Sequence, residues 1–247
     1  MKRVRLLVAY EGTAYHGWQV QPGGVATIEG ELNRVLQALT GEEIQVIGAS
    51  RTDAGVHALG NVAVFDTESP IPSEKFSYAM NQRLPEDIVV QKSEQVPDSF
   101  HPRYCECRKR YEYTILNRKF PLPEYRNTAM FYHGSLDVER MQLAAAAFIG
   151  EHDFAGFCSA GAQVKSTVRT IYDLQVEKKE EIISIRVQGN GFLYNMVRII
   201  AGTLLEVGKG SIPPERMAQI IASGRRDLAG PTAPAKGLRL LEILYEE

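Results

Sequence analysis

Residues 44–67 read Ile44-Gln45-Val46-Ile47-Gly48-Ala49-Ser50-Arg51-Thr52-Asp53-Ala54-Gly55-Val56-His57-Ala58-Leu59-Gly60-Asn61-Val62-Ala63-Val64-Phe65-Asp66-Thr67. The two outer parts, Ile44 to Ala49 and Asn61 to Thr67, are rich in β-branched and aromatic residues and predict two strands. The Ser50 to Gly60 segment between them is longer than a tight hairpin needs. It also sets a guanidinium, Arg51, near a carboxylate, Asp53, with Gly55 allowing close approach of backbone. An aspartate beside an arginine stays ionised and can serve as nucleophile or base. The same residues fit an Asx-turn, in which Asp53 holds the backbone two residues on and Arg51 is solvated.

Upstream, Val4 to Tyr10 predicts a strand that ends at Glu11-Gly12-Thr13. Thr27 caps a helix whose buried stripe is Ile28, Leu32, Val35, Leu36 and Leu39, with Gly41 behind it. Downstream, Ser73 to Leu84 predicts a helix and Asp87 to Val96 a strand. The second half repeats this grammar. Arg108 to Asn117 predicts a strand, and Asp137 to Ile149 a helix capped by Asp137. Thr167 to Glu177 and Glu181 to Gln188 form a hairpin about Lys178-Lys179-Glu180. A helical stripe runs from Phe192 to Val207 and stops at Gly208. Another helix starts at Pro213-Pro214-Glu215 and ends at Gly224, and Leu238 to Tyr245 is a closing strand. Strands with helices on one face in each half predict an α+β protein of two similar lobes with mainly antiparallel sheets. The lobes are expected at 1–105 and 106–247.

The chain has 247 residues, 44% hydrophobic and 23% charged, close to ordinary globular composition. No apolar run approaches the roughly 18 residues of a membrane helix, and the run from Leu6 to Ala9 is too short for a signal peptide, so a cytoplasmic protein that does not span a membrane is expected. Three cysteines, Cys105, Cys107 and Cys158, make neither a disulfide framework nor a zinc spacing. A net charge of -2 argues against binding nucleic acid by bulk charge. Residues 101–120 depart from that balance. Arg103, Arg108, Lys109, Arg110, Arg118 and Lys119 there face only Glu106 and Glu112, which suggests a basic stripe on an otherwise acidic body.

Phosphate-loop, dinucleotide, zinc-protease and serine-hydrolase motifs are all missing. His16, His57, His101, His133 and His152 are dispersed without ligand spacing, so a metal site is not expected. Tyr111 shares a strand face with Tyr113 and Ile115 by period two, which fits a core aromatic as well as a site residue. Trp18 reads more readily as core than as a platform for RNA.

Arg51-Thr52-Asp53-Ala54-Gly55-Val56-His57-Ala58 resembles the signature loop of the TruA family of transfer RNA pseudouridine synthases. Four further blocks are similar to that family in the right order. They are Tyr10 to Gln19, Lys109-Arg110-Tyr111-Glu112-Tyr113, Asn190 to Arg198 on the long helix, and Thr232 to Leu240. Ser50 and Gly191, where the family usually has Gly and Ala, and Glu11 for a common Asp, are small departures at non-catalytic positions.

The resemblance implies a pseudouridine synthase fold with its cleft between the lobes, and a cofactor-free isomerase. Its substrate is a uridine on the 3′ side of the anticodon arm of transfer RNA. It further implies Asp53 as the essential carboxylate, Arg198 as its countercharge, and Arg51 as the residue that fills the space left by a flipped base. The resemblance also implies Tyr111 against the uracil and Leu240 as an apolar wall, although Leu240 fits the core nearly as well. Arg103, Arg108, Lys109 and Arg110 are then candidate phosphate contacts, suited to an arm recognised by shape. The family acts as a homodimer. Two other readings fit parts of the sequence. A non-catalytic RNA-binding module would use the basic strand with Tyr111 and Tyr113, and a base-excising glycosylase would use Asp53.

Overall fold

The computed structural model describes residues 1–161 and 164–245. In chain order the strands are β1 (Lys2–Tyr10), β2 (Ile47–Gly48), β3 (His57–Thr67), β4 (Ile88–Val96), β5 (Cys107–Asn117), β6 (Met130–Tyr132), β7 (Gly150–Asp153), β8 (Val168–Lys179), β9 (Ile182–Gly189) and β10 (Leu238–Tyr245). The α-helices are α1 (Ile28–Thr40), α2 (Phe76–Asn81), α3 (Val138–Ala145), α4 (Met196–Gly208) and α5 (Met217–Ser223). The result is a mixed α+β protein with a mostly antiparallel sheet, in which β6 runs parallel to β5.

The chain divides into two compact units, Met1–Cys107 with Leu240–Glu247, and Arg108–Arg239. The sequence expectation placed the boundary after residue 105 and gave the whole C-terminal stretch to the second lobe. The difference at the C-terminus arises because β10 adds to the free side of β3.

In the first unit the sheet order is β4-β1-β3-β10, with β2 also pairing β3. Alternation along β1 sends Val4, Leu6, Val8 and Tyr10 inward, as period two requires. Helix α1 lays Ile28, Leu32, Val35 and Leu36 into the core, and Thr27 Oγ1 accepts a capping bond from the Gly30 N–H at 3.2 Å. Phe65 and Phe76 meet edge to face with centroids 5.1 Å apart. Trp18 is fully buried, which settles it as core.

The Ile44–Ala49 strand shrinks to two residues because the Val46 N–H is taken by the Asn33 side chain at 2.9 Å. The Ser73–Leu84 helix is also shorter. It opens as a 3-10 turn and ends at Asn81, whose side-chain amide pairs with both backbone groups of Val90.

In the second unit β5-β9-β8-β7 form one antiparallel run. The hairpin turn is tighter than expected and begins two residues later, at Glu180-Glu181, where Glu180 takes φ 53°. Helix α3 is capped as expected, Asp137 accepting from the Arg140 N–H at 3.0 Å, but it passes into a 3-10 turn at Ala146. Helix α4 starts at Met196 instead of Phe192, because Asn195 sits in the left-handed region at φ 60°. Every α4 residue except Arg198 and Glu206 is buried, so it is an interior helix and not a one-sided one.

Candidate active site

The Arg51–His57 loop leaves β2 and re-enters the sheet at β3, which begins four residues earlier than the sequence predicts. Asp53 heads a tight turn in which its carbonyl accepts from the Val56 N–H at 3.1 Å and Gly55 takes φ 77°. A positive φ at that third position suits glycine. The Gly55 N–H, which an Asx-turn would direct to the Asp53 side chain, donates to the Tyr15 carbonyl at 3.3 Å. Behind the turn the chain passes very close to Gly12. A Cβ there would lie 2.0 Å from the Val56 carbonyl oxygen, so only glycine fits. The Gly12 N–H donates to His57 Nδ1 at 3.0 Å, which ties the first residue of β3 to the segment after β1. Arg51 is exposed and Asp53 half-buried at the rim of this loop.

Arg103 is also drawn to this loop. Its Nε donates to the Gly48 carbonyl at 2.6 Å. Burial, and then the nearby Arg51 charge, lower its pKa from the ordinary arginine value. Two guanidiniums thus share one neighbourhood, which favours an anion there. Leu240 is completely buried in the first unit.

In the second unit Arg198 is fixed on three sides. Its Nε donates to the Ala233 carbonyl at 2.8 Å and its Nη1 to Asn195 Oδ1 at 2.6 Å, while its own carbonyl accepts from the Ala233 N–H at 3.1 Å. The left-handed turn at Asn195 therefore does two things: it starts α4 and aims the guanidinium. The period-3.6 pattern gave no sign of Asn195, since its role depends on backbone conformation.

Tyr111 and Tyr113 share a face of β5, yet their surroundings separate them. The Tyr113 hydroxyl donates to the Pro234 carbonyl at 2.9 Å, and burial pushes its pKa far above the usual range, with Arg198 opposing weakly. That proton is committed to structure. Tyr111, 9% exposed, meets the edge of Phe192 with centroids 5.3 Å apart at 83°.

Strand β5 also divides the basic cluster. Side chains alternate, so Arg108 and Arg110 fall on the Glu112 face and Lys109 on the Tyr111 face. Arg108 stacks on Tyr172 at 4.6 Å, and Arg110 donates to Gln188 at 3.0 Å. A single basic stripe is therefore replaced by two faces. Sequence reading missed Glu112. It is buried, and it accepts from Arg186 Nε at 2.7 Å and Arg239 Nε at 2.9 Å. Burial alone would raise its pKa, but the hydrogen bonds and charges of Arg186 and Arg239 hold it below the usual carboxylate value.

Among the described residues no cluster of His, Cys, Asp or Glu is arranged to hold a metal ion, and no helix is long and apolar enough to cross a membrane.

An α+β frame that holds an Arg-Thr-Asp turn this tightly defines the class only in outline, and comparison with known proteins gives the family. Residues 6–105 and 144–246 match the family model described as tRNA pseudouridine synthase. A relative from Thermoanaerobacter sp. (strain X514), called tRNA pseudouridine synthase A, is 51% identical over 99% of this chain and 100% of its own length. Proteins of the same name from Acetivibrio thermocellus and Brevibacillus brevis are 49% and 48% identical over the same shares. The chain belongs to the tRNA pseudouridine synthase family.

Proposed function

We propose that this chain isomerises uridine to pseudouridine on the 3′ side of the anticodon arm of transfer RNA. The C1′–N1 bond breaks, the uracil turns, and C5 rejoins C1′, so the RNA keeps its mass. Asp53 is the essential carboxylate. Arg198 supplies the countercharge that keeps it ionised in an apolar setting. Tyr111 lies against the uracil, and Leu240 closes the other side as an apolar wall. Arg51 occupies the stack when the target base swings out, a displacement costing a few kcal/mol. Arg103, Arg108, Lys109 and Arg110 contact phosphates. The working form is a homodimer acting in the cytoplasm, where its transfer RNA substrate is found.

The observation that carries this reading is family membership along nearly the whole chain, joined to an Asp53 turn whose neighbouring backbone is held by hydrogen bonds. Purified wild type and Asp53→Asn are incubated with transfer RNA, and the RNA is analysed by mass spectrometry with and without pseudouridine-selective derivatisation. Wild type should give derivatised RNA of unchanged parent mass, and Asp53→Asn should bind RNA but give none. Release of free uracil would make the enzyme a glycosylase, and binding without any product a recognition module. A fully active Asp53→Asn variant would remove Asp53 from the chemistry.

A further inference from the structure

Ser50 and Thr52, which lie on either side of Arg51 just ahead of Asp53, are held from beneath by side chains that no part of the proposed chemistry uses. Asn61, on β3, is fully buried. Its Oδ1 accepts from the Ser50 N–H at 3.3 Å and the Val62 N–H at 2.9 Å. Its Nδ2 donates to the Ser50 carbonyl at 3.0 Å and to the Tyr10 hydroxyl at 3.1 Å. The amide orientation follows from these partners, since a flip would set the amide N–H groups against two backbone N–H groups. Tyr10 Oη lies 2.8 Å from Thr52 Oγ1, and both side chains are buried.

Tyr10 accepts from Asn61 and shares a hydrogen bond with Thr52, so the three side chains form one connected chain. The Thr52 carbonyl accepts in addition from the Trp18 N–H at 3.0 Å. Asn61 thus grips Ser50 by both backbone groups, and Tyr10 grips Thr52 by its side chain. β1 and β3 change register where this chain crosses them, Val8 pairing with Asn61 but Tyr10 with Ala58, so that β3 carries one extra residue there. Such bulges aim side chains beside active sites.

We propose that Asn61, Tyr10 and Thr52 are positioning residues for Asp53, and that their buried hydrogen-bond chain sets the angle at which the carboxylate meets the ribosyl uracil. This rests on Asp53 being the catalytic carboxylate. A misplacement of about 1 Å can cost roughly a hundredfold in rate without touching binding, and a positioning role therefore predicts a rate effect separated from affinity. A purely structural role predicts loss of folded protein, with the surviving fraction fully active.

The test uses Tyr10→Phe, Thr52→Val, Thr52→Ser and the double variant Tyr10→Phe/Thr52→Val, with wild type and Asp53→Asn alongside. Single-turnover pseudouridine formation, transfer RNA affinity and thermal melting are measured for each. We expect Tyr10→Phe and Thr52→Val to slow turnover by about ten- to a hundredfold, with affinity within about twofold of wild type and the protein folded at the assay temperature. The double variant should be no slower than the slower single one, because both remove the same bond. Thr52→Ser, which keeps the hydroxyl, should stay within about threefold. Single variants as fast as wild type, losses confined to affinity or to folded fraction, multiplying losses in the double variant, or a serine variant as slow as the valine one would each overturn the proposal. The controls separate the two readings. An inactive wild type or an active Asp53→Asn would sink the functional assignment, whereas an inactive Asp53→Asn beside an unimpaired Tyr10→Phe would sink the positioning chain alone.

Discussion

Tyr111 and Tyr113 illustrate how much a single side chain's partner decides. Tyr113 gives its proton to Pro234, and Gly237 approaches its ring so closely that a Cβ would lie 2.6 Å from Tyr113 Cζ. Tyr111 packs against Phe192 instead. If the Tyr111 hydroxyl relays a proton, Tyr111→Phe should bind transfer RNA with near-normal affinity and turn over roughly a hundred- to ten-thousandfold more slowly. Tyr111→Ala should lose affinity as well, since base stacking on an aromatic ring contributes about 1 to 3 kcal/mol. Single-turnover rates and affinities for the pair decide it, and a Phe variant within severalfold of wild type would leave Tyr111 as a stacking surface only. Tyr113→Phe should instead lower thermal stability with little change in rate per folded molecule.

At the scale of elements, β5 carries opposite tasks on its two faces. Lys109 shares the face of Tyr111, whereas Arg110 shares that of Glu112, where it meets Gln188. Lys109→Ala should therefore weaken RNA binding and lower the slope of log affinity against log salt by about one unit or less, with Arg110→Ala the milder of the two. Equal slopes for wild type and both variants would move the RNA path off this strand. Glu112→Gln tests the other face. Removing one partner of a buried ion pair costs about 3 kcal/mol at the low end, apt here because Arg186 and Arg239 keep 40% and 42% exposure. A fall in Tm of roughly 10 °C at pH 7 is expected. The folded Glu112 pKa is depressed, so this stability is fully present above the unfolded glutamate value of about 4.3 and is lost as pH falls through the folded value. The gap in Tm between wild type and variant should accordingly begin to narrow as pH falls below about 4.3 and close once pH has passed the depressed folded value.

For the molecule as a whole, most strands were legible in the sequence because hydrophobic alternation and turn residues are local signals. β1, β4, β5 and β10 lie within two residues of their predicted bounds. β6 and β7 escaped, being three and four residues long with no buried residue among them to make a pattern. The start of α4 was misplaced because a left-handed Asn195 interrupts an apolar run that periodicity reads straight through. The Asp53 loop was visible as a cluster of reactive types, but its supports were not. Asn61 and Tyr10 stand 51 residues apart, and nothing in either neighbourhood shows that an amide and a phenol will meet.

The return of the chain to its first unit also has a bearing on synthesis. Tyr245 donates its hydroxyl to the Pro102 carbonyl across 143 residues of sequence, and Phe100 packs on the same ring at 5.0 Å. A ribosome adding about 5 to 20 residues per second needs on the order of ten seconds between those two points. Throughout that interval the side of β3 that β10 will cover presents unpaired backbone groups, a template for any passing strand. The first unit begins to fold early but is completed late, so nascent chains halted before residue 240 should be the aggregation-prone and chaperone-dependent species.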